Sequence, residues 1–311
     1  MRLNESQAAE IDELRTADQA PTRRAVVPAL EEILFQPLPV LDQGFIRVVD
    51  YMGDDAGVVQ AARVSYGKGT RKVSDDRGLI RYLMRHRHTS PFEMCEIKLH
   101  VKLPIFIARQ WIRHRTAAVN EYSARYSVLD DDFYVPETGA VAVQSHDNRQ
   151  GRGAAFSPEE AQAVQRTIRE AGEEAFARYH RLLNEDGSGQ PADPDKAGVA
   201  RELARVVLPL STYSQWYWKI DLHNLLHFVA LRLDTHAQAE IRAYAEVLAA
   251  ILQRWVPLTW EAFQDYRLNA LELSGPAVEL LKRMLAGEKV TVDESGLSPR
   301  EWRELVHSLG V

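Results

Sequence analysis

Only one cysteine, Cys95, stands in the 311 residues, so neither an internal disulfide nor a zinc site built on several thiolates can form. No apolar run approaches the ~18 residues that would cross a bilayer. The amino terminus MRLNESQAAEIDELR carries acids where a secretory signal would carry a basic flank and an apolar stretch, so a cytoplasmic protein without membrane contacts is expected. Glycine-rich phosphate loops are missing too. Neither GxGxxG nor GxxxxGKS/T occurs at a strand-to-helix junction, which excludes a dinucleotide held in a standard Rossmann turn. Internal repeats and low-complexity tracts are absent. Nor is positive charge in excess: the formal net charge is -6 and the pI ≈ 6.0. That weighs against nucleic acid bound over a broad basic surface and leaves room for a local basic pocket and a small anion.

What the chain does carry is periodic. Hydrophobic residues make up 45% and charged residues 26%, the balance of a globular protein with a substantial core. Residues 1–43 hold an acidic helical segment and then Pro28, Pro37 and Pro39, and are expected to form an extension, with the core starting at Gly44. GFIRVVDYM alternates as a strand does, and Asp54 or Asp55 should cap a short helix carrying Val58, Val59 and Ala62. SYGKGTRKVSDD reads as a basic loop, after which Asp75 or Asp76 opens a helix through Leu79, Leu83 and Met84. Cys95 falls in the alternating EMCEIKLHVKLP, a strand. Pro104 suits the first turn of PIFIARQWIRHR, whose inward stripe is Ile105, Ala108 and Ile112. Gly139 to Phe156 lacks periodicity and reads as a long surface loop. Ser157 and Glu160 form a capping box for a helix with Val164, Ile168, Ala175 and Tyr179 inward, broken at Gly187 to Pro194. STYSQWYWKI reads as a strand and Asp221 caps DLHNLLHFVALRLD. A further helix runs from about Ala237 to Trp255, and Ser298 to Glu301 forms a second capping box.

Between Arg113 and Tyr126 lies RHRTAAVNEYSARY, which leaves no apolar face. Arginines that only solubilise a surface need no Asn, Glu and Ser at close spacing, so the stretch points to an anionic, hydrogen-bonding ligand. If the preceding helix continued through Arg115, Arg113 and Arg115 would diverge by about 200° and serve two partners. Arg205 and Arg232 lie on otherwise largely apolar helices, where a guanidinium needs a partner, and salt bridges would satisfy them equally. His223 and His227 share a helical face and could bind zinc with His236. A zinc protease, however, needs a glutamate after the first histidine, and Asn224 cannot accept a proton from water. The hydrolase reading fails on that chemistry, and no metal is expected. His86 and His88 flank Arg87 in a polar turn and read as solvated or capping groups. The residues by themselves reach a pocket for an anionic ligand such as a nucleotide, with a nucleic-acid-binding module and a zinc site as rivals.

Arg113-His114-Arg115, seven residues and then Ser123 is similar to the signature of the flavin-dependent thymidylate synthases. HTSPFE at 88–93, PIFIARQWIRHR at 104–115, NEYSARYS at 120–127, ARVVLPLSTY at 204–213 and LRLDTHAQAEIRAYA at 231–245 resemble that family's segments in the same order. The resemblance spans about Gly44 to Phe263. It implies an α/β (α+β) chain in which helices surround a small, mainly antiparallel sheet. The catalytic domain would be 44–268, with 1–43 an N-terminal and 269–311 a helical C-terminal extension. It implies a homotetramer with FAD and substrate sites between subunits. The reaction would convert dUMP to dTMP, with 5,10-methylenetetrahydrofolate as carbon donor, NADPH as reductant and hydride from reduced flavin. No protein cysteine is required, which is compatible with a lone Cys95.

By position, the resemblance places Gln110, Arg113, Glu121, Tyr122, Ser123, Ala124, Arg125 and Arg205 against dUMP. Arg232 matches the catalytic residue, which also contacts dUMP and favours ionisation of the uracil N3. A permanently protonated group there lowers that pKa and makes C5 more nucleophilic. Ser90, Glu93, Arg113, His114, Arg115, Thr116, Glu121, Asp221, Leu222, His223, His227 and His236 match FAD-contacting positions, which recasts the histidine pair as flavin-facing. Position 118 is alanine where several members place serine, whereas Ser123 is retained.

Overall fold

Proline lacks the N–H that a central ladder needs, and Pro37 and Pro39 accordingly fall on an edge strand, β1 (Pro37–Val40), which pairs only with β2 (Gly44–Met52). The sheet thus starts inside the segment read as an extension. The turn between these strands needs its glycine: a Cβ on Gly44 would lie 2.1 Å from the Tyr244 hydroxyl and 2.8 Å from the Val40 carbonyl oxygen. Strand β3 (Glu96–Pro104) follows, then β4 (Ala118–Glu121). A separate two-stranded hairpin of β5 (Ala142–Gln144) and β6 (Arg152–Ala155) precedes β7 (Tyr213–Asp221). The five-stranded sheet runs β1-β2-β3-β7-β4, every pair antiparallel. A hairpin therefore stands where the sequence predicts only a loop over 139–156. Its pairing is short and largely exposed, so it leaves no apolar alternation to detect.

The computed structural model describes residues 5–16, 22–64, 76–146, 151–186 and 190–310. The basic loop read over 65–75, and positions 187–189 of the break after the long helix, lie outside the described residues. The chain divides into two units, Met1–Trp260 and Glu261–Val311.

In the first unit the helices are α1 (Glu5–Thr16), α2 (Pro28–Glu31), α3 (Asp55–Val64), α4 (Asp76–Arg85), α5 (Ser90–Glu93), α6 (Ile105–Trp111), α7 (Pro158–Leu183), α8 (Arg201–Ala204), α9 (Leu222–Arg232) and α10 (Ala239–Trp255). Strand β3 alternates because its two faces meet different surroundings. Ile97, Leu99, Val101 and Leu103 are fully buried, while Lys98, His100 and Lys102 are only half-buried on the other face. Trp216, Trp218 and Ile220 of β7 are likewise buried. Trp111, at the end of α6, closes this core, with ring centroids 5.1 Å from Trp218, 4.6 Å from Phe228 and 5.8 Å from Tyr244.

That packing explains a correction. The inward residues of α6 are Ile107, Ala108 and Trp111, not Ile105, Ala108 and Ile112, and Ile112 is 37% exposed. The indole is the largest apolar group on the helix, and burying it rotates the stripe by one residue. The helix also stops at Trp111, so Arg113 and Arg115 lie in the segment after it and the helical angle expected between them does not apply. Both capping boxes form as expected, at Ser157/Glu160 and Ser298/Glu301, and Asp221 caps α9. Within α7 the buried side chains are Ala161, Phe176, Tyr179 and Leu183; Val164, Ile168 and Ala175 are half-buried at the margin of that stripe.

On the half-buried face of the sheet, Arg47 Nη2 lies 2.7 Å from His100 Nδ1. Arginine can only donate, so Nδ1 accepts and Nε2–H donates to Gln215 Oε1 at 3.0 Å. Burial, reinforced by the Arg47 charge, pushes the His100 pKa down to about 4.

Helix α11 (Pro257–Phe263) spans the boundary in sequence, and the second unit continues with a π-helical turn Gln264–Leu268, α12 (Gly275–Leu285) and α13 (Pro299–Leu309). Ala277, Leu280 and Leu305 form a small core there, with Leu273, Val290, Leu297, Trp302 and Leu309 packed on it. Among the described residues no helix is long and apolar enough to cross a membrane.

Candidate functional site

The run after α6 becomes β4 and then a tight turn, and the turn builds a cleft. Tyr122 N donates to Gln215 O at 2.8 Å, which ties the turn to β7. The carbonyl of Ser123 accepts from the amides of Tyr126 (3.0 Å) and Ser127 (3.3 Å), so the chain folds back on itself. A cavity of about 460 Å³ results, lined by Glu121, Tyr122, Ser123, Ala124 and Arg125 from this run, Arg205, Leu208, Pro209 and Leu210 from the next segment, and Ile105, Leu129, Tyr213 and Ser214.

Six of the residues predicted for a nucleotide thus converge, five of them consecutive and the sixth, Arg205, brought in from far along the chain. Glu121 accepts from Ser214 Oγ at 2.7 Å, which orients its carboxylate. Arg125 donates through both N and Nε to Ser123 Oγ at 3.4 Å, and its guanidinium lies 5.3 Å from the centre of the Tyr126 ring. Arg205 Nε donates to Glu202 O at 3.2 Å, which leaves both terminal nitrogens available. Neither guanidinium has an ion-pair partner among the described residues. Ala124 is buried and can offer a ligand little but backbone. Two exposed cations in one concave, half-apolar cleft suit a phosphate with a flat heterocycle attached.

Gln110, Arg113 and Arg232 do not line this cleft. Ile105, in the first turn of α6, touches it, whereas Gln110 lies about 7.5 Å of helix rise further on. There Arg232 Nη2 donates to Gln110 O at 3.4 Å, and Arg232 Nε is buried without a partner. Burial lowers the Arg232 pKa from its ordinary value. His114 lies beside it, with ring centroids 5.8 Å from His227 and 4.6 Å from Phe228. Burial first, then the charge of Arg232, pushes its pKa down to about 4, so the imidazole is neutral at pH 7.

The remaining predicted residues gather around α9. Helix α5, carrying Ser90 and Glu93, packs against it. Asp221 spends Oδ1 on the Asn224 amide (2.9 Å) and Oδ2 on the Asn224 side chain (2.7 Å), as an N-cap does. Leu222 is fully buried and its N–H donates to Cys95 O at 2.8 Å, so neither its side chain nor its N–H is left to meet a ligand. His223 and His227 lie along one side of the helix, and among the described residues no group of three or more His, Cys, Asp or Glu is placed to hold a metal ion. His236 sits exposed in the turn after α9, its ring bonded to Asp234 at 2.9 Å. Arg113, Arg115 and Thr116 are exposed in the turn between α6 and β4. His86 and His88 pack against Tyr82, tilted at 4.4 Å and edge-on at 5.7 Å between ring centroids.

Sequence reasoning missed Ser214, Tyr213 and the apolar wall from Leu208 to Leu210. Their only signal was proximity to Arg205 and the alternation of β7. It also gave no role to Glu240, an acid beside the buried apolar row Ile241, Tyr244, Ala245 and Leu248 of α10.

Residues 47–258 match the protein family described as "Thymidylate synthase complementing protein". The chain is 56% identical over 310 residues to a flavin-dependent thymidylate synthase of Ruegeria pomeroyi, covering 100% of both chains. It is 58% identical over 305 residues to one of Gluconobacter oxydans, covering 98% of this chain and 97% of that one. Among solved structures it is similar to a UMP/dUMP methylase, PolB, from Streptomyces cacaoi. With 5-Br UMP bound, that protein has a TM-score of 0.63 and 38% identity, covering 74% of this chain and 97% of the other. With 5-Br dUMP the values are 0.63 and 36%, covering 74% and 99%.

Proposed function

The chain belongs to the flavin-dependent thymidylate synthase family, and we propose that its dUMP lies in the cleft of Glu121, Tyr122, Ser123, Ala124, Arg125 and Arg205. The protein converts dUMP to dTMP, and the reaction depends on a flavin. In this reading the flavin is FAD, 5,10-methylenetetrahydrofolate gives the carbon and NADPH the electrons. The observation that carries it is the cleft itself, lined by the Ser123 turn and by two arginines, Arg125 and Arg205, that have no ion-pair partner among the described residues.

Arg125 and Arg205 grip the phosphate, because a guanidinium gives paired donors to its oxygens. Gln110, Arg113 and Arg232 hold the nucleotide from a second side. The Arg232 guanidinium stabilises negative charge on the uracil ring at N3 and so favours nucleophilic C5. His114, neutral beside it, can donate or accept a hydrogen bond without adding a second positive charge. The donor set fits a flavin dinucleotide: Arg113 and Arg115 are exposed cations suited to a pyrophosphate, and His223 and His227 share one side of α9 near Ser90 and Glu93. Thr116, Glu121, Asp221, Leu222 and His236 complete that assignment. Hydride delivery to the pyrimidine is the chemistry that reduced flavin supplies there.

A nucleotide gripped by the cleft and by the Gln110/Arg232 cluster, which are apart on one chain, is best served by two copies. We therefore assign a homotetramer with sites between subunits. Leu203, Val206 and Leu210 beside the cleft are 61%, 74% and 67% exposed, as subunit contacts would be in an isolated copy. Residues 44–268 form the catalytic domain in this reading, 1–43 and 269–311 are extensions, and the enzyme is cytoplasmic. The test is product formation: purified protein with FAD, dUMP, methylenetetrahydrofolate and NADPH should make dTMP anaerobically. A folded, FAD-replete sample that makes none overturns the proposal.

A further inference from the structure

Glu240, in the first turn of α10, is 3% exposed. A carboxylate withdrawn from water in this way needs compensation at both oxygens. Arg152 of β6 forms an ion pair with it, and the Tyr134 hydroxyl donates to Oε1 at 3.1 Å. Gln238 Nε2 donates to Oε2 at 2.8 Å. Burial alone would raise the Glu240 pKa, but Arg152 and Gln238 outweigh it and leave the pKa below the ordinary carboxylate value, so the group is ionised at neutral pH. The row continues from there. Gln110 Nε2 donates to Gln238 Oε1, and separately the main-chain carbonyl of Gln110, not its side-chain amide, accepts from Arg232 Nη2 at 3.4 Å.

This row has a direction, and one residue sets it. An ionised carboxylate can only accept. Gln238 must therefore turn its NH2 to Glu240, which leaves its carbonyl for Gln110. Gln110 must then turn its own NH2 to Gln238, and its Oε1 remains as an acceptor. We propose that Glu240 is a positioning residue of the nucleotide site: through Gln238 it fixes which end of the Gln110 side-chain amide a ligand meets. The inference rests on the assignment of Gln110 and Arg232 to dUMP.

An alternative in which Glu240 is only a buried ion pair holding β6 to α10 makes a different prediction for Glu240→Gln. Arg152 still requires an acceptor, so the new amide gives it the carbonyl and turns its NH2 to Gln238. Gln238 must then present its carbonyl, and Gln110 must flip to accept from the Gln238 NH2. The polarity of the row reverses with little change in shape. Adding Gln238→Glu to that variant restores an acceptor-only group between the two amides and returns Gln110 to its original orientation.

The experiment is calorimetric titration of dUMP into FAD-loaded enzyme, with melting temperature and flavin absorbance recorded for each variant. Glu240→Gln should raise the dUMP Kd by about tenfold, the effect of one mispaired hydrogen bond. The Glu240→Gln/Gln238→Glu double variant should recover most of that loss. A Kd within about twofold of wild type in folded Glu240→Gln, or a double variant at least as weak as the single, overturns the proposal. Should Glu240→Gln not fold, Gln238→Ala breaks the row while keeping the Arg152–Glu240 ion pair: a raised dUMP Kd in the folded variant supports the proposal, even with the lower melting temperature that an unpaired Oε2 brings, and an unchanged Kd overturns it. Wild-type enzyme that does not bind dUMP at all overturns the assignment beneath it, an outcome distinct from every variant result.

Discussion

Replacing Arg205 with alanine isolates one cation of the cleft. Its Nε is occupied by Glu202 O at 3.2 Å, so the loss to a ligand is that of the terminal nitrogens. One charge-assisted hydrogen bond from them to a phosphate contributes about 1.5–3 kcal/mol, which corresponds to a rise of about 10- to 150-fold in the dUMP Kd. The side chain is exposed, so folding stability should change by no more than about 0.5 kcal/mol. Arg205→Lys keeps the charge without the fork and should fall between alanine and wild type. Isothermal titration at low and moderate salt is the assay. Screening weakens an exposed charge contact, so wild-type affinity should fall with salt more steeply than that of Arg205→Ala. A folded Arg205→Ala enzyme whose Kd and salt dependence both match wild type would refute the placement of the phosphate in this cleft.

Trp111→Ala should cost about 3–5 kcal/mol in urea denaturation, because it empties the centre of an aromatic cluster. Trp111→Phe should cost much less, since it keeps a ring there and removes an indole N–H that is buried without a partner; equal losses would contradict this. His100 and His114 both have folded pKa values of about 4, below the unfolded ~6.5. The unfolded chain then binds more protons between those values, so stability is fully present above about pH 6.5 and falls as the pH drops towards 4. Imidazole resonances of these two residues that titrate near pH 6.5 in the folded protein would contradict that. Ser157→Ala removes one half of a capping box and should cost about 1 kcal/mol, and an unchanged thermal transition would show that the cap does not matter.

Much of the architecture was legible because it is local. The caps at Ser157, Asp221 and Ser298 depend on a side chain and an amide three residues away, and the alternation of β3 and β7 depends on neighbours of opposite face. Where reading failed, a distant contact had decided. Nothing within α6 says that Trp111 outranks Ile112 for burial; the indoles and rings of β7, α9 and α10 do. No local pattern shows that prolines 37 and 39 join the sheet; pairing with β2 places them at its edge, where a missing N–H costs nothing. The β5–β6 hairpin, short and polar, has too little buried surface to leave a pattern.

The candidate site divides in the same way. By itself the sequence determined the chemistry: a run of Arg, His, Asn, Glu and Ser without an apolar face, no thiol nucleophile, no phosphate loop, and ordered motifs that name a family. Those depend only on residue types and spacing. Tertiary structure alone decided which groups meet. It brought Arg205 to Arg125 although a hairpin and the long helix α7 lie between them in the chain, kept Gln110 and Arg232 out of that cleft, made His114 neutral by enclosing it near Arg232, and buried Glu240 at the end of a directed row of amides. Burial and long-range contact, which set pKa values and the direction of hydrogen bonds, belong to the packed chain and not to any stretch of it.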